Sequence, residues 1–468
     1  MKKISLLLLI CLMAGIFTAC NDSITEEKLD AEGNAVVDAE YRDFGGQEFI
    51  HSAPGAGWEM FWPEEAVSAK NDRIRAKSKA VQEALNCVFT EEALGGDNSD
   101  YYQKLIAAGD YHINFASERG VPNCIFSMYK AGLIEYLDDI EAIDFNNTEV
   151  WGTPEKRMPF TYENKVWAYS GGGNEGGTYG RLLYNNDLIK EFGVESPQSL
   201  YEQKKWTFDT FKELLPLVTD TTPERRIYGL SLYPINHMLE LTAIFANGGN
   251  VVKKDSSGKA YFGLLDNEAL DAMEWVKEIK ANKDSVRQDV WKPTLFGSKG
   301  STFFLTMVFV GIESDPEDDI MYPQNHLDDF AWIPFPSGPD AEYGKYTGTY
   351  ESDFGGTVIL IGNDKQDEGY VLNEFLSYIM KDEEGNIVNE EASFKRNFFH
   401  SEESYDNYKK GSINFSYDYY PQLKDSYRNL IASLIKISSG RATPVEALEA
   451  IKDSMNAEID ININGIKE

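Results

Sequence analysis

Positive charge is scarce in this chain. Lys and Arg number 44 against 77 Asp and Glu, a formal net charge of −33. Affinity for nucleic acid comes from neutralising phosphates, so a nucleic-acid partner is excluded as a class. An anionic lipid surface repels such a chain for the same reason. Histidine is scarce too, with 5 scattered residues, and the 4 Cys form no CxxC. Without that motif or HExxH, no ligand set for a structural or catalytic zinc is present. No GxSxG, Cys–His pair, GxxxxGK[ST] or strand–GxGxxG–helix is found, so no nucleophile or phosphate loop is signalled and no cofactor is implied. No repeat of 20–50 residues is visible.

What is present begins at the N-terminus. Lys2 and Lys3 precede an apolar run over residues 4–17, too short for the ~20 residues of a spanning helix. It ends in Phe17-Thr18-Ala19-Cys20, which resembles a bacterial lipobox, cut before a Cys that carries lipid. This predicts a signal peptide over 1–19, a lipid anchor on Cys20 and a polar, acidic tether over 20–43. The protein is then extracytoplasmic and anchored to the bacterial cell membrane. Cys11 leaves with the signal. Cys87 and Cys124 remain, both in apolar settings, and either pair or stay as buried thiols.

Beyond the tether, strand and helix patterns alternate, which predicts an α/β fold with largely parallel sheets. Strands are expected over 44–52, 87–90, 111–116, 227–232, 303–310 and 357–361. Helices are expected over 71–86 and 99–108, after Pro122, from Thr207, from Asp266 or Asn267, through Val371–Ile379, and from Thr443. Thr443-Pro444-Val445-Glu446 is a capping box with Pro at the first helical position. The Gly-rich stretch 171–181 reads as an interdomain crossing, because glycine tolerates the backbone rotations a hinge needs.

Several segments then match, in order, a known family. Leu183-Tyr184-Asn185-Asn186-Asp187-Leu188 is similar to its L-Y-N-K-D-L, and Lys205-Trp206-Thr207-Phe208 to its T-W-E-E helix start. Asn247-Gly248-Gly249 resembles its N-G-G turn, and Ala269-Leu270 opens a helix like its A-L-x-F. Lys299-Gly300-Ser301-Thr302-Phe303 stands where G-K-A-A-M is usual, and Ile333-Pro334-Phe335-Pro336 where P-L-P is. Ser439-Gly440 through Glu446-Ala447-Leu448 matches a C-terminal S-G…E-A-L. On these residues the chain resembles extracellular solute-binding proteins of the maltose-binding-protein-like family, the receptors of ABC importers.

The resemblance implies a type II periplasmic-binding-protein fold: two α/β lobes, each a mixed, largely parallel sheet flanked by helices. Three hinge crossings are expected near 171–181, 297–300 and 344–352. Lobe 1 is then residues 44–181 plus 299–345, and lobe 2 residues 182–298 plus 350–468. It also implies a carbohydrate ligand in the cleft, ABC permease subunits as partners, a monomer, and no catalysis. A sugar offers apolar faces and polar rims, so its site needs aromatic rings with carboxylates or amides beside them.

The expected contacts are Trp58 and Trp62 in the loop after the first strand, and Glu118 with Arg119 after strand 111–116. Tyr233, Glu351 and Asp353 at the third crossing, and Tyr427 complete the expected ring of contacts. Trp167 and Tyr169, before the first crossing, are contacts or packed hinge residues. Two other functions stay open. The same fold with a peptide, polyamine or other small solute suits the negative charge. A surface glycoside hydrolase would need a pair of carboxylates ~5–10 Å apart, which 77 acidic residues permit.

Overall fold

The computed structural model describes residues 28–29, 35–36, 41–54, 59–63, 69–94, 98–119, 124–169, 181–232, 237–288, 296, 298–306, 327–345, 355–379, 395, 399–413 and 418–465. Cys20 and most of the 171–181 crossing lie outside them.

Alternating strands and helices build two main sheets. The first runs in the order Gly355–Ile359, Phe115–Arg119, Gln47–Ala53, Cys87–Ala93. The last three are parallel, and Gly355–Ile359 is antiparallel to its neighbour. Parallel neighbours need a crossover, which helix Ala69–Leu85 supplies between Gln47–Ala53 and Cys87–Ala93. Phe49, Phe89 and Phe115 share one face of this sheet. Phe61 stacks on Phe89 at 4.2 Å between ring centroids and meets Phe375 edge-on at 4.9 Å, which closes the core.

The second sheet runs Val286–Gln288, Arg225–Leu232, Ser301–Thr306, Arg181–Asn185, Phe330–Pro334. Its first three strands are parallel, and Arg181–Asn185 is antiparallel to both neighbours. Successive side chains of a strand point to opposite faces. Leu182, Tyr184, Phe303, Leu305 and Ile333 therefore enter one core with Trp206 and Phe211. Leu183, Phe304 and Trp332 enter another with Tyr408 of helix Glu402–Ile413. Burial on both faces explains why these strands read as continuous apolar runs. Asn185, Ser196, Thr207 and Thr443 each cap a helix by accepting the N–H three residues on.

The strand pairing departs from the expected division of the chain. Ser301–Thr306 pairs with Arg225–Leu232 and Arg181–Asn185, and Phe330–Pro334 with Arg181–Asn185, so these two strands, expected in lobe 1, extend the second sheet and not the first. Gly300 accepts the N–H of Tyr228, so 297–300 is a return within one sheet and not a crossing. Gly355–Ile359 joins the first sheet, and helix Lys365–Ser377 packs Val371, Leu372 and Phe375 on its core. In the second sheet Phe303, Phe304 and Leu305, three large apolar residues in a row, are buried on both faces of an inner strand. Tyr169 thus packs with the first sheet and Arg181 with the second, Tyr343 with the second and Gly355 with the first, Tyr378 with the first and Phe399 with the second. Strand 111–116 is also displaced, because ladder pairing with Gly355–Ile359 begins at Phe115 and runs on to Arg119. Cys87 and Cys124 are both buried free thiols, and burial pushes the Cys87 thiol up to about 12.

One carboxyl group makes the first core sensitive to pH. Glu368 is buried, accepts from Asn114 Nδ2 at 2.8 Å, and is pushed up to about 8 by desolvation. Asn114 in turn accepts the N–H of Ile50, which ties the helix to the sheet. A carboxyl whose folded pKa lies above its unfolded value stabilises the fold fully below about pH 4.5. That contribution is lost as pH rises through about 8. Each unit of difference corresponds to about 1.36 kcal/mol. The melting temperature is expected to fall between pH 5 and 9, and Glu368→Gln to flatten that fall. A slope unchanged in the variant would assign it to another group.

Candidate functional site

In open α/β sheets, ligands bind outside the carboxyl ends of the parallel strands. At that end of the first sheet, each strand contributes one polar side chain. His51, Glu91, Ser117 and Thr357 lie two residues from Phe49, Phe89, Phe115 and Ile359, so period two puts all four on the aromatic face. They form one hydrogen-bonded row. His51 Nδ1 is 2.5 Å from Glu91 Oε2, and His51 Nε2 is 2.8 Å from Ser117 Oγ. Ser117 Oγ is 2.8 Å from Thr357 Oγ1. The other oxygen of Glu91 accepts the backbone N–H of Phe61 at 2.6 Å and of Trp62 at 3.1 Å.

Trp62, an expected contact, is therefore held from below by Glu91. The Arg75 guanidinium sits 4.3 Å from its ring centroid and also donates to Pro63 O at 2.8 Å. Glu118 and Arg119 close the strand Phe115–Arg119 instead of starting a loop. Glu118 is fully buried on the opposite face, near Tyr102, whose hydroxyl donates to Ser52 Oγ at 3.0 Å. Arg119 is the ladder partner of Gly355.

Trp167 is a packed residue. Its indole N–H donates to Tyr162 O at 3.0 Å, and its ring meets Tyr129 and Tyr136 edge-on at 4.8 and 5.6 Å. Tyr169 exchanges two backbone hydrogen bonds with Thr357 and meets Trp151 edge-on at 5.5 Å. Trp58, Tyr233, Glu351 and Asp353 lie outside the described residues.

In the second sheet, Arg225–Leu232 leads through 233–236 to His237, the first residue before helix Met238–Ala246. Tyr427, another expected contact, opens helix Tyr427–Ser438 beside it. Its ring stacks on Tyr420 at 6.0 Å, and its hydroxyl is 3.4 Å from His237 Nε2. Burial, with the Lys280 charge, pulls His237 down to about 4, so near neutral pH its ring is uncharged. Arg181, where the chain enters this sheet, is fully buried with its guanidinium 4.0 Å from the Tyr408 ring centroid.

Sequence reasoning singled out neither His51, Glu91, His237 nor Arg181. For His237 and Arg181 no local signal exists. For the row there was one: Phe49-Ile50-His51, Phe89-Thr90-Glu91 and Phe115-Ala116-Ser117 repeat an aromatic–x–polar pattern on three successive strands. Among the described residues, no cluster of His, Cys, Asp or Glu is arranged to hold a metal ion. No described helix is long and apolar enough to cross a membrane.

No family model and no curated protein matches the sequence. Solved structures do. The GacH receptor of Streptomyces glaucescens, determined unliganded and with acarbose, superposes with a TM-score of 0.59 at 12% identity, covering 89% of this chain and 99% of its own. An ABC transporter solute-binding protein from Thermotoga lettingae, bound with α-D-tagatose, gives 0.59 at 14% identity, over 88% and 100%. UgpB from Mycobacterium tuberculosis, in complex with glycerophosphocholine, gives 0.59 at 13% identity, over 90% and 100%. The fold is that of the two-lobed ABC-transporter solute-binding proteins. These neighbours are binding proteins and not enzymes. On this solute-binding fold the polar row and the His237–Tyr427 pair each stand at the carboxyl end of a sheet's parallel strands.

Proposed function

We propose that this chain is the extracytoplasmic, lipid-anchored receptor of an ABC importer, a monomer that captures a carbohydrate between its lobes and delivers it to a membrane permease. An oligosaccharide is the preferred ligand. The observation that carries this reading is the end-to-end likeness to solute-binding structures determined with acarbose and with tagatose. The lipobox-like Ala19-Cys20 supports the anchor. Trp62 and Tyr427 support the ligand class, being half-buried rings with polar groups beside them. Trp58, Tyr233, Glu351, Asp353, Arg119 and Tyr169 are proposed to complete the site, with Glu118 and Trp167 behind it. A second reading, in which another small solute such as a peptide or polyamine takes the same place, is the less supported of the two.

A thermal-shift screen over mono- and oligosaccharides, glycerophosphocholine and spermidine separates these readings. A ligand at a hundredfold excess over its Kd stabilises by about 2.7 kcal/mol. A shift with sugars is expected. A shift with only the other solutes selects the second reading, and cleavage of a bound oligosaccharide would make the protein a hydrolase. Trp62→Ala and Tyr427→Ala are each expected to weaken binding by about 1–3 kcal/mol, the cost of losing a stacking anchor, with the fold intact. Unchanged affinity in calorimetry removes that residue from the site.

A further inference from the structure

We propose that Glu91, His51 and Ser117 are positioning residues that fix the height and orientation of the Trp62 loop, with Thr357 as the anchor at the far end of the row. The proposal rests on the receptor reading for its purpose, and on the hydrogen-bond geometry for its mechanism.

One assignment of protons satisfies every group. Thr357 donates its hydroxyl to Ser117, Ser117 donates to His51 Nε2, and His51 donates Nδ1–H to Glu91 Oε2. Glu91 Oε1 then receives the two backbone N–H groups of the loop. All donors point the same way, toward the carboxylate, and hydrogen bonds in such a chain polarise one another. The row lies in a low-dielectric setting. His51 is fully buried, Ser117 and Thr357 are nearly so, and the Phe61 ring meets the imidazole edge-on at 5.8 Å.

This geometry does more than satisfy buried polar groups. The row draws one residue from each of the four strands, and its end is fastened to a loop and not to the sheet. Thr357 also exchanges two backbone hydrogen bonds with Tyr169, so the loop is referenced to the segments where the chain enters and leaves the first lobe. The Trp62 ring is thereby aimed by residues that do not touch it. Ser78, which donates to Phe61 O, and Arg75 over the ring hold the loop from the helix side. Removing the row should loosen the loop's amides without releasing Phe61 from the core.

The test is amide hydrogen exchange on the full chain, which needs no ligand. In Ser117→Ala the Phe61 and Trp62 amides should exchange roughly fivefold faster, the scale of one lost hydrogen bond of ~1 kcal/mol, although Ser117 touches neither. His51→Gln should do the same, and Ser117→Thr, which returns the hydroxyl, should restore protection. Should His51→Gln fail to fold, Ser117→Ala and Ser117→Thr carry the comparison. Unchanged exchange at 61–62 overturns the proposal. So does equal acceleration at the core amide of Phe89, which would mark general destabilisation. In a second arm, the sugar found by thermal shift should bind Ser117→Ala several-fold more weakly, and the loss should vanish in a Trp62→Ala background. If exchange responds but no sugar binds even the parent chain, the row stands and the receptor reading fails.

Discussion

Asp418→Ala is expected to lower the melting temperature by roughly 10 °C. Asp418 is fully buried and accepts the backbone N–H groups of Val251, Val252 and Tyr420. It thus joins strand Val252–Lys254 to the turn that leads into the last two helices. Alanine removes the acceptor and leaves three buried donors, each costing about 1–3 kcal/mol when unsatisfied. The sum is about 3–5 kcal/mol, because water enters part of the space left. Asp418→Asn keeps one acceptor oxygen and should lose less. Desolvation pushes the Asp418 carboxyl up to about 7 against the pull of the three N–H groups. Its stabilisation is therefore fullest below about pH 3.8 and declines as pH rises through about 7. Differential scanning calorimetry checks both points. A melting temperature for Asp418→Ala within a degree or two of the parent would mean that the three donors find other acceptors.

On the proposed lipobox reading, Cys20→Ala is expected to abolish lipid attachment. A lipid chain contributes about 0.8 kcal/mol per buried CH₂, and more than one chain makes anchoring stable. No described helix is long and apolar enough to span a membrane, and a net charge of −33 is repelled by anionic lipid. The variant should keep its signal peptide uncut by the lipoprotein peptidase and appear in the soluble or mislocalised fraction. Fractionation followed by mass spectrometry of the N-terminus reads both outcomes. A variant as firmly bound as the parent sinks the lipobox reading and leaves ordinary secretion with an incidental Cys20.

Local patterns in the chain were legible because local physics produces them. Thr207 and Thr443 cap the helices expected of them, since a hydroxyl three residues before an open N–H needs no tertiary partner. The helix over residues 69–85 and the strand after it follow from apolar spacing alone. The aromatic excess was visible as composition, yet which rings pack was not. Trp167 and Trp62 are both half-buried against a core, and only the folded chain brings Tyr129 and Tyr136 to one and Glu91 and Arg75 to the other. Asp266 precedes its helix as expected but does not cap it, because Tyr261 and Lys253 claim its carboxylate.

By itself the sequence determined the alternating α/β class, the acidic surface that turns away nucleic acid, and the helix starts, because each depends on residues close together in the chain. The tertiary structure alone decided the order of strands. Residues 301–306 and 330–334 were free to join either sheet by pattern, and they pair in the second, where Phe303, Phe304 and Leu305 are buried on both faces. It alone decided that His51, Glu91, Ser117 and Thr357, spread over some three hundred residues of chain, form one hydrogen-bonded row. Period two fixes the face to which each side chain points, but which strands lie side by side is fixed only when the whole core closes.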